Sequence, residues 1–166
     1  MPALEAGVQA PEIELQFLDG GKFSLKEARK NGPVVAAFFK VSCPVCQLAF
    51  PFLERIFRAY SKAGAVTFVG VSQDNAADTK AFNREYGVTF PVLLDPVGKY
   101  PVSNAYGLTN VPTVFLISAD GGIDFSTVSW SKADVDQLNR RLASASDASP
   151  AQIFLPGEKV PEFKPG

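Results

Sequence analysis

Two stretches of the chain are apolar without alternation. Val34-Val35-Ala36-Ala37-Phe38-Phe39 and Val66-Thr67-Phe68-Val69-Gly70-Val71 have the pattern of strands covered on both faces. Between them Val45, Leu48, Ala49, Phe52, Leu53, Ile56, Phe57 and Tyr60 recur at helical steps, which predicts one amphipathic helix. Strand, helix and strand, with both strands buried, make a parallel crossover unit. Upstream, Glu12 to Leu18 and Lys22 to Leu25 flank Asp19-Gly20-Gly21, a turn signal that predicts a preliminary hairpin.

Downstream, Asp78 to Tyr86 predicts a second helix, with Asp78 as N-cap and Gly87 as stop. Phe90 to Leu94 follows as a short strand, Val102 to Tyr106 as a helical turn, and Thr113 to Ile117 as another apolar strand. Asp120-Gly121-Gly122 returns the chain into Ile123 to Val128, whose alternation marks an antiparallel hairpin at one side of a mixed sheet. Ser131 with Asp134 caps a last helix striped by Val135, Leu138 and Leu142. The pattern places a domain over residues 1–145 and a Pro-rich extended tail over 146–166. That tail reads either as mobile or as an arm laying Phe154 and Phe163 on its own or a neighbouring molecule. Its Gly157-Glu158-Lys159-Val160-Pro161-Glu162-Phe163 echoes Gly7-Val8-Gln9-Ala10-Pro11-Glu12-Ile13.

Composition narrows the chemistry. With 16 Lys and Arg against 17 Asp and Glu, the net charge is −1, and no basic face for nucleic acid is indicated. The apolar runs are too short to insert in a membrane. The opening Met1 to Gly7 lacks the basic start and apolar core of a secretion signal, so a cytoplasmic location is expected, or an extracytoplasmic one had a leader been removed. No His is present, which removes imidazole as general base or metal ligand.

The two cysteines stand at Cys43 and Cys46, directly after a buried strand and at the start of the long helix. With Cys43 as N-cap, Pro44 falls at the first helical position, where a missing N–H costs nothing, and Cys46 faces back towards Cys43. A helix N-terminus favours a thiolate over a thiol. Cys43, nearer the mouth, is the candidate nucleophile, and Cys46 the resolving thiol. An isolated pair could instead be half of a zinc site, but it offers only two of four ligands; as a structural disulfide it would close too short a loop to stabilise much. Redox chemistry is the favoured reading, and no metal or cofactor is called for. Lys40 is the charged residue closest in sequence and could help hold a thiolate; Asp74 reads as the cap of a following turn, and Trp130 as a packing residue.

With Asn110-Val111-Pro112-Thr113 opening a later strand, the order of parts resembles the thioredoxin superfamily. More closely it resembles the redoxin or TlpA-like branch, which includes AhpC/TSA and peroxiredoxin relatives. Gly7, Ala10-Pro11, Leu15, Asp19-Gly20 and Ser24-Leu25 match that branch's opening, Pro51 and Leu53 its helix, and Asp120-Gly121 its late hairpin. The resemblance spans about residues 5–143. It implies an α/β, three-layer sandwich with a mixed central sheet flanked by helices and an N-terminal hairpin extension. It also implies a cis Pro112 against the cysteine pair, with Val111, Pro112, Pro44 and Val45 meeting the substrate. Departures fall at Ser42, where the branch carries an aromatic residue, and at Ala36-Ala37-Phe38-Phe39 and Ala49, where relatives place a proton-handling acid.

The expected activity is thiol-disulfide exchange, run as a reductant, with a disulfide-containing protein substrate and an upstream thiol reductant, by a monomer or weak dimer. A thiol peroxidase with Cys43 peroxidatic and Cys46 resolving is the alternative, although Lys40 and Ala36 stand where peroxiredoxins carry their activating Thr or Ser and Pro. A non-catalytic metal-binding or interaction module is the alternative of another class.

Overall fold

The computed structural model describes residues 3–166, so Met1 and Pro2, which begin the opening read for a leader, lie outside the described residues. At its centre β3 (Val34–Phe39) pairs in parallel with β4 (Thr67–Ser72) and antiparallel with β6 (Thr113–Ile117). All six residues of β3 are buried, as an unalternating run requires. Around it β1 (Glu14–Phe17), β2 (Lys22–Ser24), β5 (Val92–Leu94) and β7 (Ile123–Val128) complete a seven-stranded mixed sheet of order β2-β1-β5-β4-β3-β6-β7.

Alternation along β3 divides the core into two layers. Val35, Ala37 and Phe39 face a cluster supplied by α2 (Pro44–Tyr60), α3 (Ala76–Tyr86) and α5 (Lys132–Ala145). There the Phe39 ring lies 4.3 Å from Phe50 and 4.9 Å from Phe82, centroid to centroid. Val34, Ala36 and Phe38 face the layer holding Leu25 of α1 (Leu25–Ala28) and Val102 of α4 (Pro101–Ala105). Gly70 in β4 suits the close packing of the first layer, because a Cβ there would lie 3.0 Å from the Phe90 ring and 3.3 Å from Val92. This is the three-layer arrangement expected, with the β1–β2 hairpin as its extension.

Local chemistry sets the helix ends. Ser131 caps α5 by accepting from the Asp134 N–H, as predicted. For α3 the cap is Asn75 rather than Asp78: the Asn75 side chain accepts from the Asp78 N–H, and Asp78 sits in the first turn, where its charge suits the helix N-terminus. Gly87, left-handed at φ 69°, stops the helix where expected.

The tail folds back on its own domain. Ile153 is buried, and the Phe154 ring packs 5.4 Å from Phe52 and 6.3 Å from Trp130. Arg55 donates to both carboxylate oxygens of Glu158 and to the Ile153 carbonyl. Beyond these anchors β9 (Phe163–Lys164) pairs antiparallel with β8 (Trp130–Ser131). Phe163 contributes backbone only, for its side chain is exposed. The sequence echo has a structural counterpart: Tyr106 Oη donates to the Pro11 carbonyl and Trp130 Nε1 to the Pro161 carbonyl, each at 2.6 Å.

Candidate active site

The loop from β3 into α2 carries Lys40 to Cys43, and its shape is fixed from two sides. Asp74, just past β4, accepts from the Val41 N–H at 2.8 Å, and Gln47 of α2 donates to the Val41 carbonyl at 3.0 Å. Asp74 thus anchors this loop instead of capping the turn that follows it. Cys43 then caps α2, its sulfur accepting from the Cys46 N–H at 3.2 Å while Pro44 occupies the first helical position.

The two thiols are free and differently placed: Cys43 is half-buried and Cys46 fully buried. Burial pushes the Cys46 thiol up, its hydrogen bond with the Cys43 side chain adds to this, and the negative charge of Asp74 contributes last; a backbone hydrogen bond from Lys40 acts the other way. The Cys43 thiol donates to the Val111 carbonyl at 3.5 Å. The Val111-Pro112 peptide is cis, and Thr113 Oγ1 donates to the Asn110 carbonyl at 2.8 Å, tying that loop to the start of β6.

Of the residues singled out from sequence, Cys43, Cys46, Pro44 and Val45 lie at the start of α2, and Val111, joined to Pro112 by the cis peptide, meets Cys43 from a loop 68 residues distant. Ser42 is exposed beside Cys43. Lys40 is exposed too; its ammonium lies 6.0 Å from the centroid of the Tyr100 ring. An open cavity of about 450 Å³ adjoins Cys43, with Lys40, Tyr100, Asn110, Val111 and Gly166 in its walls. Tyr100 and Gly166 carry no sequence signal of a site, and Asn110, although it opens the Asn110-Val111-Pro112-Thr113 motif, is given no role there. Asn110 could have been found from its place next to Val111-Pro112, whereas nothing in the sequence ties Gly166 to the cysteines. Among the described residues no cluster of three His, Cys, Asp or Glu side chains is placed to hold a metal ion. The arrangement is a dithiol with one sulfur open to a partner and the other shut behind it.

The model of the AhpC/TSA family matches residues 6–126. Thiol-disulfide oxidoreductase ResA of Geobacillus thermodenitrificans is 29% identical over 136 residues, covering 81% of this chain and 76% of the relative. Thioredoxin-like protein YneN of Bacillus subtilis is 28% identical over 137 residues, covering 81% and 78%. Among solved structures, a secreted Mycobacterium tuberculosis disulfide oxidoreductase superposes with a TM-score of 0.65 at 26% identity, covering 80% of this chain and 95% of its own.

Proposed function

The chain belongs to the AhpC/TSA family, and from that premise we propose that its activity as a thiol-disulfide oxidoreductase is carried by Cys43 and Cys46 and runs towards reduction of protein disulfides. The Cys43 thiolate attacks one sulfur of the partner disulfide. That S–S bond breaks, a mixed disulfide forms, and the partner's other sulfur leaves as a thiolate and takes up a proton. Cys46 then gives up its proton and attacks the Cys43 sulfur, closing the Cys43–Cys46 disulfide and releasing the partner's second thiol. Two electrons and two protons have passed to the partner, and an upstream dithiol must return them.

The observation that carries this reading is the unequal exposure of the two sulfurs, with the open one against the Val111 carbonyl. An open thiol meets the partner, and a buried one resolves the intermediate without competing for new partners. Burial raises the Cys46 thiol, so it stays protonated until the mixed disulfide forms and leaves the first attack to Cys43. The reductive direction suits a compartment whose thiol pool is kept reduced.

The test is the reduction potential of the pair, equilibrated in dithiothreitol or glutathione buffers and read by alkylation and mass, with protein-disulfide reduction and peroxide consumption assayed alongside. A potential towards about −270 mV with protein-disulfide turnover is expected. A value towards about −120 mV would reverse the direction, and peroxide turnover faster than disulfide reduction would replace the activity by a peroxidase.

A further inference from the structure

After α5 the chain does not leave the domain but returns to the cysteine pair. Its middle is firmly held by the Arg55–Glu158 pair, the Trp130 Nε1–Pro161 bond and the Lys132 N–H donating to the Glu162 carbonyl at 3.0 Å. Its tip, residues 163–166, is exposed at every position and makes no ion pair among the described residues. Beyond the two-residue pairing of β8 with β9, Gly166 donates to Ser129 Oγ at 2.9 Å and accepts from Asn110 Nδ2 at 2.8 Å.

The position of that tip is the significant fact. A Cβ built on Gly166 would lie 2.0 Å from the Val111 oxygen and 2.9 Å from its carbon. Gly166 therefore presses on the backbone carbonyl that accepts the Cys43 thiol. A polypeptide disulfide approaching in extended form brings main-chain groups that need free main-chain partners at the edge where they dock. On the Val111 side of Cys43 that edge is already covered by this chain's own tip.

Resting on the oxidoreductase reading, we propose that residues 163–166 are a specificity gate: in place they exclude extended polypeptide disulfides from the Val111 edge, while small disulfides still reach Cys43 through the cavity beside Lys40. Because the tip buries none of its own side chains, and Ile153 and the Arg55–Glu158 pair hold the arm before it, the gate can open without unfolding the domain. An extended substrate then binds with its affinity reduced by the fraction of molecules whose tip is open.

Gly166 supplies the test within the full chain. A methyl there meets a backbone oxygen, which cannot swing aside as a side chain does, so Gly166→Ala should drive the tip off its seat. Ser129→Ala, which removes one of the two hydrogen bonds on Gly166, should do so partially. Turnover is measured with a cystine-bridged extended peptide and with hydroxyethyl disulfide, and thermal unfolding is followed by circular dichroism to verify folding. The ratio of peptide to hydroxyethyl disulfide kcat/KM should rise about tenfold in Gly166→Ala and by a smaller factor in Ser129→Ala. An unchanged ratio in both variants would overturn the gate, and a fall would show that the tip helps bind the peptide. If the wild-type chain turned over neither disulfide, the oxidoreductase reading would fail first, and the gate with it.

Discussion

Cys43 and Cys46 are separated by less than one helical turn, yet the first is half-buried and the second shut away. That difference fixes distinct outcomes for two similar substitutions. Cys43→Ser should abolish disulfide reduction and form no adduct, whereas Cys46→Ser should accumulate mixed disulfides with partners, seen as added mass lost on treatment with dithiothreitol. Equal residual activity in the two variants would contradict the roles. The pair itself was legible because spacing, Pro44 and the preceding apolar run all lie within a few residues. Asp74 was not legible, because its partner Val41 is 33 residues away and meets it only through the parallel pairing of β3 and β4. Asp74→Asn keeps an oxygen for the Val41 N–H and removes the charge, so the Cys46 thiol should titrate lower with stability nearly retained. Asp74→Ala removes the acceptor as well and should cost about 1 kcal/mol or more. Denaturant unfolding and pH-dependent alkylation together separate the two effects.

At the scale of elements, periodicity identified the strands and helices because the physical demand was uniform along each. β3 is buried at every position, β7 alternates, and α2 carries its apolar stripe through Pro51 without ending. Ends were harder, since Asn75 and Asp78 are both good cap residues and only the backbone decides between them. In the structure Asn75 has extended backbone, ψ 170°, and its side chain accepts from the Asp78 N–H, so α3 starts at Ala76. Asn75→Ala should therefore destabilise the domain by about 1 kcal/mol. Asp78→Ala, which loses an exposed charge near the helix N-terminus, should cost less, about 0.3–1 kcal/mol. The reverse order in urea midpoints would return the cap to Asp78.

For the whole molecule, the pattern revealed a two-layered core but not how the chain closes over it. Residues 150–166 contain little periodic apolar sequence, and their docking depends on single groups far apart in the chain: Arg55 on Glu158, and Trp130 on Pro161. Glu158 makes this closure sensitive to acid. The Arg55 guanidinium, with the Leu155 N–H in second place, holds the Glu158 carboxyl down at about 2, against 4.5 for a free glutamate. A carboxyl whose value is lowered by docking stabilises the docked arm fully above the free value, and loses that contribution as pH falls towards the docked one. The arm should then loosen between about pH 4.5 and pH 2. The chain has a single tryptophan, Trp130, whose indole N–H is bonded to the arm, so its emission should shift in that window. Glu158→Gln removes the titrating group, so its emission should lose this acid step while retaining any change caused by the core. An equal acid step in wild type and Glu158→Gln would mean that other carboxyls govern the arm. Arg55→Met separates pairing from titration: it should weaken docking already at neutral pH and move the remaining step up towards the free carboxyl value.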